Sequence, residues 1–220
     1  PADLRFQAAT SLAEIDPAAA VEPLIAALAD RDAQVVAAAA LALGAIGEPR
    51  AIEPVAARLD HATPATRFDV AYALAELGDP RGRALLAGAL TDAERAWDAV
   101  SALGRLGAAA DVAALAGALT DRRTPAEACV LAAGALLALP AAAAHHDAAR
   151  RVVLAALDAR KEHVRGIAVE QLGKVGGAWA VAPLERLARG RKGGDLVDAI
   201  GAALRAIHLR GAERAPESPP

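Results

Sequence analysis

The chain has 220 residues and a formal net charge of -3; 55% of its residues are hydrophobic, although only 2% are aromatic and none is Met. A nucleic-acid-binding domain usually carries a basic excess on one face, so this charge argues against nucleic acid as a partner. The single Cys129 excludes an intrachain disulfide framework and a cysteine-based zinc site. No strongly apolar run of about 18 residues is free of charge, Gly or Pro, so no membrane-spanning helix is predicted.

A repeated pattern runs through the chain. Its clearest marks are Asp16-Pro17, Glu48-Pro49 and Asp79-Pro80, which recur at intervals of 32 and 31 residues and each open a new apolar helical pattern. A period in this range is the sequence signature of a solenoid. Solenoids mostly offer a long surface rather than a catalytic pocket, so the repeat favours a binding protein over an enzyme.

The first part of the chain shows the repeating unit most clearly. Residues 3–15 match only the second helix of a unit, so we predict a leading helix there. Residues 17–48 form a complete unit of two helices. Asp32 is a suitable N-cap for its second helix, predicted at 33–46, and Gly47 is a suitable C-cap.

The later units restate this pattern of helix, polar turn and helix. Thr63-Pro64 is predicted to start one second helix, because Pro in a first helical turn loses no hydrogen bond. The array is predicted to cover residues 1–210, followed by a disordered Pro-rich tail at 211–220. Further repeats are predicted at about 49–79, 80–108, 109–140, 145–176 and 177–209.

These motifs resemble a known repeat family. The segments VEPLIAAL at 21–28, ALGAIGEPR at 42–50, AIEPV at 51–55 and LGDPR at 77–81 resemble the HEAT repeat, and most closely the short bacterial phycobilisome-lyase-like variety. The resemblance covers about residues 3–209. It implies an all-α, right-handed α-solenoid of about six helical hairpins plus one leading helix, with the second helices on the concave side. HEAT arrays serve many unrelated tasks, so it implies little about function.

The second helices align on one shared residue, here called the anchor leucine. The anchor leucines are Leu12, Leu43, Leu74, Leu103, Leu136, Leu172 and Leu204. Four of the five aromatic residues lie six or two positions before an anchor leucine. At 100° per residue these positions are about 120° and 160° from the centre of the core stripe, so Tyr72 is predicted to be the most outward of the four aromatics.

We predict an apolar stripe along the concave groove, flanked by carboxylates that include Glu14. An exposed apolar strip with a polar rim often marks a protein interface. The expected occupant is a helix or an extended protein segment with apolar and basic residues. The alternative is that the aromatic rings pack against the neighbouring repeat. The candidate partner-binding residues are Phe6, Leu41, Phe68, Asp69, Tyr72, Glu76, Trp97, Asp98 and Val130.

A second column, seven residues before the anchor leucine, contains Arg5, Arg67 and Arg165. Families of this type often place an Arg here to form hydrogen bonds across repeats. Other residues interrupt the column in this chain. A structural role is therefore predicted for these three arginines in preference to a ligand-binding role.

Chemistry-bearing motifs are weak in this sequence. His145-His146-Asp147 is the only metal-like cluster, and adjacent histidines on a connector rarely converge without further ligands, so a solvated loop and no metal are predicted. The turn at 190–194 lacks the spacing of a phosphate-binding loop and is predicted to be flexible and solvated. One HEAT enzyme family, deoxyhypusine hydroxylase, binds iron through His-Glu pairs, and the sequence has none. HEAT-like DNA glycosylases use a basic concave face, which the acidic rim does not match.

The predicted function is a non-enzymatic scaffold or adaptor that holds a protein segment in its concave groove. We expect it in the cytoplasm of a bacterium, without a cofactor, metal, nucleic acid or membrane partner. Two alternatives remain open. The resemblance alone implies a lyase-like role, in which the array helps to attach or detach a bilin on a phycobiliprotein. A structural spacer without a ligand would be favoured if the aromatic column were fully buried between repeats.

Overall fold

The computed structural model describes residues 5, 7, 8, 11, 15–64 and 66–213. In these residues the chain forms α-helices and short 3₁₀ segments, without a strand. The predicted leading helix lies largely outside the described residues, as does most of the predicted disordered tail, whose described residues 211–213 continue the last helix instead. The helices are α1 (Pro17–Ala27), α2 (Ala33–Ile46), α3 (Ile52–Leu59), α4 (Arg67–Glu76), α5 (Arg83–Gly88), α6 (Ala96–Leu106), α7 (Ala109–Ala118), α8 (Ala126–Ala138), α9 (His146–Ala156), α10 (Glu162–Val175), α11 (Ala178–Arg189) and α12 (Val197–Glu213).

Helix α2 has both of the caps predicted for it. The Asp32 carboxylate accepts a hydrogen bond from the Gln34 backbone N–H at 2.9 Å. Gly47 ends the helix in the left-handed region with φ of 74°, and its N–H donates to the Leu43 carbonyl. Glycine adopts this conformation without steric cost, so the helix ends at the residue where the sequence predicts its end.

Helix α4 begins later than predicted. The Thr63 carbonyl accepts from the backbone N–H groups of Thr66 and Arg67 at 3.1 and 2.9 Å, and the two threonine hydroxyls lie 3.1 Å apart. These bonds form a turn that contains Pro64. The prediction that Thr63-Pro64 starts the helix is therefore wrong, because side-chain and backbone bonds of the threonines stabilise a turn ahead of it.

The helices form two layers. The second helices of the pairs, which are α2, α4, α6, α8, α10 and α12, pack side by side in chain order. Among the first helices, only α5 and α7 make more than marginal contact with each other, and this contact is less extensive than any between successive second helices. Helices are closest on the inner side of a bend, so the second helices form the concave layer of an α-solenoid. No helix of the described residues is long and apolar enough to cross a membrane.

The core lies between the two layers. One cluster of buried apolar side chains extends over α1–α4 and a second over α4–α12. Leucine supplies much of the volume of the core, and alanine is its most frequent residue. The anchor leucines without solvent exposure are Leu43, Leu74, Leu103, Leu136 and Leu172.

Glycine permits the close approach of successive inner helices. In α2, α6 and α10 a Gly directly follows the anchor leucine and faces the Ala that directly precedes the anchor leucine of the next inner helix. A Cβ atom added at this Gly would lie closer to that Ala than ordinary van der Waals contact allows. A larger side chain would therefore force the helices apart. The distances are 3.0 Å at Gly44, 3.1 Å at Gly104 and 3.2 Å at Gly173.

Charged side chains join consecutive repeats at the ends of the first helices. Arg50 binds Glu22 at 3.1 Å, and Arg81 binds Glu53 at 2.9 Å. Both pairs are separated by 28 residues and use the Glu and Arg of the repeated motif. These pairs are exposed, so each adds little to the free energy of unfolding, but both give neighbouring repeats the same register.

Arg165 has the cross-repeat role predicted for its column. Its Nη1 donates to the Ala159 and Arg160 carbonyls at 3.0 Å, and its Nε donates to the Lys192 carbonyl at 3.2 Å. Lys192 in turn donates to the Asp158 carbonyl at 2.7 Å. The segment around Lys192 is a 3₁₀ segment that is hydrogen-bonded to the preceding repeat rather than a free turn, and Lys192 and Gly194 are exposed as predicted.

We expect Gly44→Val to lower the free energy of unfolding by about 2 kcal/mol, because its side chain would overlap the Ala73 backbone. Gly117→Val is the matched control: Gly117 is an exposed helical residue with open space at its Cβ position. Guanidinium unfolding followed by far-UV circular dichroism measures both. Equal stability of the two variants would contradict the role given to the Gly–Ala contacts.

We also expect Asp111→Ala to destabilise the protein by about 3 kcal/mol, because its fully buried carboxylate binds the Arg83 guanidinium with both oxygens and accepts from the Ala108 N–H. Asp121→Ala removes a carboxylate that pairs locally with Arg123 at the surface. This control should change the unfolding midpoint much less. A similar loss in both variants would show that the burial of Asp111 is unimportant.

Candidate functional site

The candidate site lies on the solvent-facing side of α2, α4 and α6. Because these helices adjoin in the concave layer, side chains at equivalent positions form rows across them. Three rows lie on this side of the helices, at six residues before, two before and two after the anchor leucine, although Ala37 and Phe68 of the first row are buried. We call this surface the inner face; it consists of Ala37, Leu41, Ala45, Phe68, Tyr72, Glu76, Trp97, Ser101 and Arg105.

Two large apolar side chains of the inner face are exposed. Leu41 on α2 is 37% exposed and Trp97 on α6 is 42% exposed. Tyr72, on the helix between them, is half-buried. The prediction that Tyr72 is the most outward aromatic is therefore wrong among the described residues, because its ring packs beside Phe68 with the ring centroids 6.4 Å apart.

Phe68 and Val130 are buried, with 8% and 3% exposure. The Arg95 guanidinium carbon lies 5.2 Å from the centre of the Phe68 ring, so the turn before α6 covers this ring. Val130 packs into the larger apolar cluster. Both side chains support the surface from beneath rather than offering contact area to a partner. Their participation in binding stays a prediction, and Phe6 and Glu14 lie outside the described residues.

The carboxylates on and beside the inner face are partly neutralised by arginine. Glu76 forms an ion pair with Arg105 at 2.7 Å, across α4 and α6. The pKa of Asp69 is raised, mainly by burial. The positive charge of Arg95 opposes this shift, and the negative charge of the nearby Asp98 adds to it. Asp98 is exposed and forms no ion pair within the described part of the chain. The edge of the inner face is therefore less acidic than the sequence suggests, and the exposed carboxylate of Asp98 is available to a partner.

The two arginines were missed as members of the site. Arg105 has a signal in the sequence: it lies two residues after its anchor leucine, in the same row as Glu76 on the preceding inner helix. Opposite charges in one row of adjacent helices are placed to pair. Arg95 has no such signal, since it precedes α6 in a turn whose path over Phe68 depends on tertiary packing.

The remaining motif with ligand chemistry is the histidine pair. His145 ends a 3₁₀ segment, and His146 begins α9 with its Nε2 3.2 Å from the Leu139 carbonyl oxygen. Within the described residues no group of three or more His, Cys, Asp or Glu side chains is placed to hold a metal ion.

Comparison with known proteins concerns the repeats and the fold. The HEAT repeats family matches residues 1–67, and the PBS lyase HEAT-like repeat matches residues 66–92. The complex of CpcE and CpcF of phycocyanin lyase from Nostoc sp. PCC7120 is 20% identical, with a TM-score of 0.54, and the match covers 89% of this chain and 90% of that chain. At this identity the likeness shows the fold alone.

A second solved structure is human deoxyhypusine hydroxylase in complex with glycerol. It is 21% identical, with a TM-score of 0.41, and the match covers 95% of this chain and 91% of that chain. No curated protein matches the chain.

Tyr72 offers a direct probe of the site, because it is the only tyrosine of the chain. Burial raises its pKa, and the negative charge of Glu76 raises it further. We expect tyrosinate absorbance to report a pKa above the usual value of about 10. The stability that the Tyr72 hydroxyl contributes is therefore complete below a pH of about 10 and is lost as the pH rises through the pKa of the folded state.

Glu76→Gln should lower the pKa of Tyr72, because it removes the negative charge and leaves Arg105 without its partner. Glu94→Gln, at an exposed carboxylate before α6, is the matched control and should leave the titration unchanged. If the titration of Tyr72 did not shift in Glu76→Gln, the influence of the Glu76 charge on Tyr72 would be contradicted.

Proposed function

Because the chain carries HEAT repeats, as its motifs indicate, we propose that it is a non-enzymatic scaffold or adaptor that holds a protein segment on the inner face. The observation that carries the proposal is the exposure of Leu41 and Trp97 on α2 and α6, with Tyr72 on the helix between them. Aromatic side chains of this kind dominate the energy of protein interfaces. We expect the protein to work in the cytoplasm of a bacterium, without a cofactor.

The length of the bound segment follows from the spacing of the helices. Packed helices lie about 8–10 Å apart, so Leu41 and Trp97, two helices apart, are separated by about 20 Å across the face. A helix of about 13 residues or an extended segment of about six residues has this length. We therefore propose a short linear segment as the partner rather than a broad globular surface.

The chemistry of the segment follows from the side chains that it would contact. We expect the bound segment to place apolar side chains against Leu41, Tyr72 and Trp97. Asp98 is open to a Lys or Arg of the partner, while Glu76 already binds Arg105. A charge pair at this exposed rim contributes specificity and association rate more than affinity.

Two alternatives remain. The spacer hypothesis requires the aromatic column to be fully buried; Phe68 satisfies that condition and Trp97 does not. The lyase-like hypothesis is supported by the match to the PBS lyase HEAT-like repeat. A change of absorbance on mixing the protein with free bilin would favour it, and peptide binding without such a change would favour the scaffold.

The test is capture from the native lysate by the wild-type protein and by Trp97→Ala combined with Tyr72→Ala. We expect a partner to be retained by the wild type and lost by the double variant, since a truncated aromatic hot spot costs about 2 kcal/mol or more. Leu209→Ala is the matched control, because Leu209 is an exposed apolar residue of α12, far along the array. Circular dichroism checks that helicity is unchanged. Equal capture by both proteins would place the interface elsewhere.

A further inference from the structure

A cavity of about 590 Å³ lies at the other end of the array, away from α2, α4 and α6. It is lined by the end of α8, by α9, by the junction between α10 and α11, and by α12. This volume is in the range of small-molecule sites. Its lining combines an apolar part and a basic part, and each part draws residues from more than one repeat.

The basic part brings together Arg150 of α9, Lys174 of α10 and Arg210 of α12, with His146 beside them. No Asp or Glu is among the described residues that line the cavity. Three cations on one cavity wall repel one another and favour an anion between them. Arginine in particular binds phosphate through two parallel N–H donors.

The contacts that these cations already make leave them available. Lys174 binds Glu170 at 2.6 Å, and Arg150 lies 3.4 Å from Asp147, whose side chain is 83% exposed. Ion pairs of this exposed kind are weak, so an anion in the cavity can compete with them. Arg210 donates to the Gly176 carbonyl at 2.9 Å, a bond that fixes its guanidinium at the cavity wall.

Arg150 has an unsatisfied donor at this place. Its Nε is buried and has no hydrogen-bond partner within the described residues, while its guanidinium carbon lies 5.3 Å from the centre of the Trp179 ring. The ring holds the guanidinium against the cavity wall. Because this Nε has almost no accessible surface, an anion in the cavity would bind the terminal nitrogens of Arg150 instead.

The α11 N-terminus opens into the same cavity. Gly177 is its N-cap, no side chain caps the helix, and no acidic residue is present in its first turn. The first N–H groups of a helix and its dipole favour a negative charge at this position. The helix therefore adds to an anion site that the three cations of the lining already define.

From this arrangement we infer that the cavity binds a small phosphate monoester. The phosphate group lies among Arg150, Lys174, Arg210 and the α11 N-terminus. The cavity is far larger than a phosphate ion, and Leu137, Val175 and Trp179 form its apolar wall. The ester body packs against this wall. The site is separate from the inner face, so the proposed scaffold function and this binding can fail or hold independently.

The test uses phenyl phosphate as the probe and Trp97→Phe as the parent protein. Trp179 is then the only tryptophan, because the chain has two, and its fluorescence reports the cavity directly. We expect a saturable change that phenol does not produce at equal concentration and constant ionic strength. Calorimetry of the same titration gives the dissociation constant without relying on Trp179.

Three variants in this parent decide the assignment. Arg150→Gln removes a lining cation and should weaken binding about tenfold. Arg151→Gln, the matched control, removes the same charge from an exposed neighbour outside the lining and should bind within about twofold of the parent. Gly177→Asp places a carboxylate at the N-cap of α11, where the extended backbone accepts any residue, and should abolish binding while the helix stays capped.

Titration with inorganic phosphate distinguishes a site for a phosphate monoester from a site for the free phosphate ion. We expect it to bind at least about tenfold more weakly than phenyl phosphate, because it leaves the apolar wall empty. Equal affinity would overturn the monoester and leave a site for the free ion. The absence of saturable binding, equal weakening in Arg150→Gln and Arg151→Gln, or unchanged binding in Gly177→Asp would each overturn the site. Gly177→Asp still tests the site if Arg150→Gln does not fold.

Discussion

The close contact between successive inner helices is the constraint on which the rest of the structure depends. It requires a Gly after the anchor leucine of α2, α6 and α10 and an Ala before the anchor leucine of the next inner helix. The inner helices pack in sequence as a result, while the outer helices are mostly farther apart. The difference between the layers produces the concavity, and the concavity places the rows of α2, α4 and α6 on one continuous surface. Without this spacing, Leu41 and Trp97 would belong to separate patches.

The same constraint explains where bulky side chains occur in an alanine-rich protein. An aromatic ring does not fit between helices whose contact is made by Gly and Ala, so rings are confined to the rows that point away from the contact. Phe68, Tyr72 and Trp97 all occupy such rows. Trp179 stands at the first turn of α11, where a junction between repeats leaves room for it. Trp97 therefore marks a surface and Trp179 a junction, and the two proposed sites are built around these rings.

The fold was predictable from local signals. The Asp32 and Gly47 caps, the 31- to 32-residue period and the core stripe with its anchor leucines depend on nearby residues, and the structure contains them. Exposure within one column was not predictable, because Phe68 and Trp97 share a position and differ in burial. The difference arises from Arg95, which lies over Phe68 in a turn whose path the sequence does not reveal. The basic cavity was missed for the same reason, since its cations come from three helices without a shared motif.

The pairs of Glu22 with Arg50 and of Glu53 with Arg81 have a consequence for how such a protein can change its length. The unit at 49–79 offers Glu53 to the next unit and Arg50 to the previous one, so the joint is the same on both of its sides. A unit duplicated with both charges would meet a complementary neighbour at each end. Such an insertion would lengthen the array without a new interface, and its concave surface would grow by one helix. The joint thus makes the array modular, and its reach could be adjusted separately from the chemistry of its binding sites.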